Sequence, residues 1–237
     1  INATTLINTV KQTVYACSKD EMKPALTGVM FIFNTKNTTT VSTDGHRLVK
    51  HVYEDKNKNQ TKALIPSKFL NILISGLVDL NKSKIEISET HATIVTNTKK
   101  ISTRLIQEKF PDYESVIPTD NNKTCTIETK QLLDAVKRVS LLSNKATKQV
   151  ILKFQKNKTT ISTEDFETGS AANEEIDCQY SAEELSIGFN ANLLLEVLKH
   201  QPPQVTLQLK TPLSASVFEG ENKQNEETTT LLMPIRT

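Results

Sequence analysis

The densest group of chemically capable side chains in this sequence is Val41-Ser42-Thr43-Asp44-Gly45-His46-Arg47-Leu48, where a carboxylate, an imidazole and a guanidinium crowd beside a glycine. Such a set could move a proton or hold an anion, but catalysis also needs a nucleophile or a further group converging on the same atoms. The remaining histidines do not supply one. His51 falls in a strand-like segment, His91 in a turn and His200 at a helix end, without metal-ligand spacing. No HExxH, GxSxG, Walker or GxGxxG pattern occurs, and with 6 glycines there is no loop to cradle a phosphate. The structural reading is a turn: a strand ends at Thr43, Gly45 takes a positive φ, and Asp44 bonds to nearby backbone. A hydrolase or transferase acting through Asp44, His46 and Arg47 remains the rival class; neither metal nor cofactor is expected.

Two other groups could bind rather than react. The end of the chain, Leu231-Leu232-Met233-Pro234-Ile235, is an apolar run. It fits a last edge strand that tolerates Pro234, or the wall of a groove for which adaptable methionine is suited. Basic residues expected on helices are Lys11, Lys19, Lys23, Lys68, Lys137, Arg138, Lys145, Lys148 and Lys199. Each could belong to an ordinary solvated face. If the helices line one concave surface, they add up to a weakly positive track that holds phosphates without reading bases. The formal charge of +2, from 29 basic and 27 acidic residues, argues against binding nucleic acid by charge alone.

The elements that must position these residues come in two copies. "VMFIFNTKNTTTVSTDG" from Val29 aligns with "VILKFQKNKTTISTEDF" from Val150, pairing Phe33 with Phe154, Val41 with Ile161 and Asp44 with Glu164, with one residue of difference in the loop. Upstream, Leu6, Ile7 and Val10 recur as Leu132, Leu133 and Val136; downstream, Phe69, Leu70, Ile72 and Leu73 recur as Leu194, Leu195, Val197 and Leu198. Both sets have the spacing of an amphipathic helix. Helix starts are expected at Thr4 or Thr5, Ser67, Thr129 and Asn192. Strands are expected at "VMFIF", "TTTVST", "KIEIS" and "ATIVTN", then at "VILKF", "TTIST", "LSIGF", "QVTLQL" and "SASVFE", joined by polar turns such as "NTKN", "QKNK" and "NKSK". The fold class is therefore α+β: two tandem domains, 1–120 and 121–237, each with two amphipathic helices on antiparallel sheet. Pro111, Pro118 and Asp120-Asn121-Asn122 mark the break near residue 120. Cys17, Cys125 and Cys178 are widely spaced and odd in number, which suggests isolated thiols in a reducing cytosol rather than a disulfide framework. No apolar run approaches the roughly 20 residues needed to span a bilayer. The chain starts at Ile1, without methionine or a signal-like segment, and is expected to be a piece of a longer protein.

Four segments, "VSTDGHRL" (41–48), "KFPDYESVIP" (109–118), "GFNANLLLEVL" (188–198) and "LLMPIR" (231–236), resemble the bacterial β sliding clamp family, the processivity subunit of DNA polymerase III. They stand in the order and spacing of the last two of that family's three domains, across essentially the whole chain. The resemblance implies a non-catalytic, cytoplasmic, nucleoid-associated protein of DNA replication. Its full-length form would be a head-to-tail homodimeric ring around duplex DNA, gripping it without regard to sequence. DNA polymerases, the clamp loader and repair proteins would dock through short linear motifs. Carried over by position, the docking pocket comprises Leu26, Thr43, Gly45, His46, Arg47, Leu48, Pro111, Val116, Leu213, Leu231, Leu232, Met233, Pro234, Ile235 and Arg236, with Lys23, Ser115, Asn190, Leu193 and Ala215 at its rim. His46 and Arg47 would close that rim. Lys23, Ser115, Leu193 and Thr237 depart from the commonest family residues. DNA-facing residues would be Lys11, Lys68, Lys137, Arg138 and Lys199; the subunit contact would use Leu141, Leu142, Glu174 and Glu175. With the first domain absent, the chain by itself is expected not to close a ring. The alternative is an interaction scaffold with no role on DNA.

Overall fold

The burial alternation expected of half-covered strands is clearest in the second copy of the repeat, along residues 149–155 and 158–165, in the computed structural model, which describes residues 3–54, 60–75, 84–219 and 225–236. The Thr4 side chain, most of the "NKSK" turn and Thr237 lie outside the described residues. The chain divides into two units. The first takes in Ile1–Glu114 and Asn222–Thr228, the second Ser115–Glu221 and Thr229–Thr237. The main division thus falls ahead of residue 120, and a short segment near the end of the chain returns to the first unit.

In the first unit, α1 (Ala3–Thr13) leads through a 3₁₀ turn at Val14–Ala16 and another at Pro24–Leu26 to β1 (Gly28–Phe33), β2 (Asn37–Thr43), β3 (Arg47–Glu54), β4 (Thr61–Pro66) and α2 (Ser67–Ile74). A three-stranded sheet follows, β5 (Lys84–Ile87), β6 (His91–Val95) and β7 (Lys100–Arg104). Strands β1 to β4 are antiparallel in the order β3-β2-β1-β4. Leu6 and Val10 of α1 and Phe69, Leu70 and Leu73 of α2 pack with Val29, Phe31, Ala63 and Ile65 into one core that extends to Ala92 and Ile94. His91, read as a turn residue, opens β6.

The second unit repeats the plan: β8 (Lys123–Glu128), α3 (Thr129–Val139), a 3₁₀ turn at Ser140–Leu142, β9 (Gln149–Gln155), β10 (Lys158–Asp165), β11 (Ser170–Asp177), β12 (Gln179–Tyr180), β13 (Leu185–Asn190), α4 (Ala191–Leu198), β14 (Gln204–Leu209) and β15 (Ser216–Glu219). The last strand, β16 (Glu226–Leu232), starts in the first unit and ends in the second. One sheet here has the order β11-β10-β9-β13, and the other runs β12-β8-β14-β15. Leu132, Ala135, Val136 and Val139 of α3 and Leu194, Val197 and Leu198 of α4 are fully buried or nearly so, as their spacing demands.

Helices α2 and α3 start at the expected Ser67 and Thr129, but neither side chain caps its helix, and Thr129 Oγ1 donates instead to the Pro202 carbonyl. At α4 the cap is Asn190, not Asn192. Its side-chain oxygen accepts from the amides of Asn192 and Leu193 at 3.0 and 3.3 Å. Two asparagines two residues apart offer the same chemistry, and the earlier one wins because β13 delivers it in extended geometry.

Strand register also corrects the repeat. Phe33 sits opposite Thr38 and Phe31 opposite Thr40; Phe154 sits opposite Thr159 and Leu152 opposite Ile161. Keeping Phe33 with Phe154 therefore matches Thr40, not Val41, to Ile161, and the two hairpin loops are equally long. Asp44 then corresponds to Asp165 rather than Glu164. The apolar likeness of Val41 and Ile161 misled the alignment, because β2 is buried on both faces and hides its alternation.

Candidate functional site: a braced turn, an apolar chain end and a set of cations

The turn from β2 to β3 is tied by its own polar groups. Gly45 has φ 91°. Thr43 Oγ1 accepts from the Gly45 amide at 3.0 Å and donates to the Arg47 carbonyl at 2.6 Å. Asp44 Oδ1 accepts from the amides of His46 and Arg47 at 2.9 and 3.0 Å, and Oδ2 from Arg47 Nε at 3.0 Å. Arg47 Nη2 then donates to the Tyr15 carbonyl at 2.7 Å, and its guanidinium lies 5.3 Å from the centre of the Tyr15 ring.

This geometry removes the catalytic reading. The Asp44 carboxylate is occupied by three N–H donors, and Arg47, only 5% exposed, is held by Asp44 and Tyr15. Arg47 therefore does not close a rim; it fixes the turn from below. His46 and Gly45 stand exposed at the tip, while Thr43 and Leu48 are buried beneath. Half-buried Leu26 joins this surface through its 3₁₀ turn, since its carbonyl accepts the Ser18 amide at 2.8 Å, three residues beyond Tyr15. Lys23 and Pro111 are exposed. Tyr15 is the participant that sequence reasoning missed, because its role is carried by its carbonyl and ring face, which no spacing announces.

Asp165 does in the second unit what Asp44 does in the first. It accepts from the Glu167 amide at 3.1 Å, Thr168 Oγ1 at 3.0 Å and Asn144 Nδ2 at 3.1 Å. Thr168 replaces Arg47, so nothing long reaches back over the preceding 3₁₀ turn. Leu141, the middle residue there as Tyr15 is in its own turn, is left 80% exposed.

The apolar end of the chain meets other expected residues within the second unit. Ser216 pairs with Leu232, which places Ala215 beside Met233 at the end of the β15–β16 ladder. The Ile235 amide then donates to the Gly188 carbonyl at 2.9 Å, drawing the tail onto β13. Leu231, Leu232 and Ala215 are buried, whereas Leu213 at 64% and Met233 at 40% are open to solvent. Pro234 lies beyond β16 and so removes no ladder bond. Val116 and Ser115 are exposed on a 3₁₀ turn; Ile235 and Leu193 are half-buried and Arg236 is exposed. Asn190, expected at the rim, is used internally: besides capping α4 it donates to the Thr147 carbonyl at 3.1 Å.

The cations sort into free and spent. Lys19, Lys23, Lys145 and Lys148 lie in loops rather than on helices. Lys68 pairs with Glu21 at 2.8 Å, and Arg138 makes a two-point pair with Glu174 at 3.0 and 2.5 Å. The residue expected to face DNA and the one expected to face a neighbouring subunit thus neutralise each other. Glu175 likewise pairs with Lys158. Lys11, Lys137 and Lys199 are exposed and have no ion pair among the described residues. No group of His, Cys, Asp and Glu among the described residues could hold a metal, and no described helix is long and apolar enough to cross a membrane.

Residues 1–112 match the family profile "DNA polymerase III beta subunit, central domain", and residues 114–236 match "DNA polymerase III beta subunit, C-terminal domain". The chain belongs to the DNA polymerase III beta subunit family. It is 29% identical to the beta sliding clamp of Treponema pallidum (strain Nichols), over 98% of this chain and 64% of that protein. It is 28% identical to the beta sliding clamp of Bacillus subtilis (strain 168), over 98% of this chain and 62% of that protein. A crystal structure of the beta subunit sliding clamp from Pseudomonas aeruginosa bound to griselimycin superposes with a TM-score of 0.92 at 25% identity, covering all of this chain and 64% of that one. The α+β fold with tandem clamp domains is thereby the family's, and the chain spans less than two thirds of the length of these relatives.

Proposed function

We propose that this chain supplies the central and C-terminal domains of a DNA sliding clamp, a non-catalytic processivity subunit that tethers DNA polymerase to duplex DNA in the cytoplasm. The observation that carries the reading is the match of both halves, in order, to the two beta subunit domains. Clamp action needs a loose, sequence-blind hold on phosphates, and Lys11 and Lys137 on helices and Lys199 just past α4 are the cations left for it. Lys68 and Arg138 contribute less, because their charge is already answered. The full-length protein would form the ring as a head-to-tail homodimer, with Leu141 and Leu142 as apolar contact residues.

Docking of polymerases, clamp loader and repair proteins is assigned to two sets of residues, each supported by its own geometry. In the first unit these are Leu26, Gly45, His46 and Pro111 on a turn braced by Thr43, Arg47 and Leu48. In the second they are Val116, Leu213, Met233, Pro234 and Ile235, over buried Ala215, Leu231 and Leu232. An extended peptide with two apolar anchors fits such open apolar side chains held on rigid backbone. The tethering claim is tested by loading the full-length protein onto nicked circular DNA with its clamp loader. Retention on the circle, with release after the DNA is linearised, is expected; equal retention on both would overturn the claim.

A further inference from the structure

We infer that Cys125 and Cys178 form a reversible, peroxide-driven disulfide site inside the second unit, with Thr159 as the hydroxyl that joins the two thiols. Tyr180 lies opposite Cys125 and Gln179 opposite Thr126 in the β8–β12 ladder, so Cys178 is the diagonal neighbour of Cys125. Thr159 Oγ1, itself fully buried, donates to Cys178 Sγ at 3.3 Å and stands 3.9 Å from Cys125 Sγ. Residues far apart in sequence thus meet where the chain leaves β11 in one sheet for β12 in the other, and a bond there would staple the two sheets of this unit. β12 is a two-residue strand at a sheet edge, where the Cys178 amide donates to the Asn157 carbonyl at 3.1 Å and the Asn157 amide to the Tyr180 carbonyl at 3.0 Å, and the bond requires this short edge to shift.

The two cysteines differ in access, which orders the chemistry. Cys125 is completely buried and burial pushes its thiol well up, so it is a poor first nucleophile; Cys178 is half-exposed. The Cys178 thiolate attacks a hydroperoxide oxygen, the O–O bond breaks, and the departing hydroxide takes a proton to leave as water, giving a sulfenic acid. Cys125 sulfur then attacks Cys178 Sγ; the S–O bond breaks and the hydroxide leaves as water with the Cys125 proton, for which Thr159 offers a path. Two thiols and one hydrogen peroxide become one disulfide and two waters. In a reducing compartment such a bond is transient, as redox-responsive disulfides are.

The test is to treat the 237-residue chain with hydrogen peroxide, alkylate the remaining thiols and map the products by mass spectrometry. The expected result is an intramolecular Cys125–Cys178 bridge, lost on adding dithiothreitol, with Cys17 still alkylated. In Cys125→Ser the sulfenic acid on Cys178 persists and is trapped by dimedone, while Thr159→Val forms the bridge several-fold more slowly. Three alkylated thiols in the peroxide-treated chain, a bridge through Cys17 or to a second chain, or Cys178 untouched in Cys125→Ser would each overturn the inference. Because the first and second of these are read on the unaltered chain, the outcome stands even if a variant fails to fold.

Discussion

Arg47 does its work from beneath the surface it was expected to line. Arg47→Ala takes the guanidinium from the Asp44 carboxylate, which keeps its two amide donors, and from the Tyr15 carbonyl, and loss of about 1–3 kcal/mol of stability is expected by denaturant unfolding. Arg47→Lys recovers only part of this, since an ammonium cannot serve both partners in the planar geometry a guanidinium does. Gly45 fails differently. A Cβ there would meet nothing within 4 Å, so the cost of Gly45→Val is backbone strain from φ 91° alone, about 1–3 kcal/mol. Of this turn, the sequence made the strand end, the glycine and the aspartate legible, because those preferences are local. The destination of the guanidinium was not, because its partner Tyr15 is brought in by tertiary structure.

Among the elements, β3 and the start of β16 are joined by a buried histidine. His51 Nδ1 lies 2.8 Å from Thr228 Oγ1, and the ring is 1% exposed. Burial lowers its pKa from the ordinary 6.5, opposed in part by the Glu226 carboxylate. The sign follows from the neutral form being native. Above pH 6.5 neither state binds the proton; as pH falls below that, the unfolded chain takes it up first and stability drops until the lowered native pKa is passed. Unfolding midpoints measured from pH 7.5 downward should therefore fall less steeply in His51→Gln than in the parent. At α4, Asn190→Ala removes acceptors from two first-turn amides and should cost about 1 kcal/mol, read as a lowered midpoint at constant m-value. Helices α1 to α4 were legible as apolar stripes. Strands β4, β7, β8, β11 and β12 were not, and β3 only around His51, because charged or polar residues interrupt their alternation, as in Lys-Ile-Ser-Thr-Arg of β7. The one-residue slip in the repeat has a related origin, a strand buried on both faces.

For the molecule as a whole, the duplicated plan and the place of each copy in the family were readable from spacing and segment order. The electrostatics were not, because Arg138 meets Glu174 and Lys68 meets Glu21 only across folded elements. The central claim is that this fold presents a docking surface for short peptides, with Met233 among its open apolar residues. It is tested most directly by calorimetric titration of a consensus-type clamp-binding peptide, carrying two apolar anchors, into the parent chain and into Met233→Asp. The account predicts saturable one-to-one binding by the parent, and a loss of at least tenfold in affinity, about 1.4 kcal/mol, for the variant at unchanged folding. An absence of saturable binding by the folded parent, or equal affinity in Met233→Asp, would contradict it.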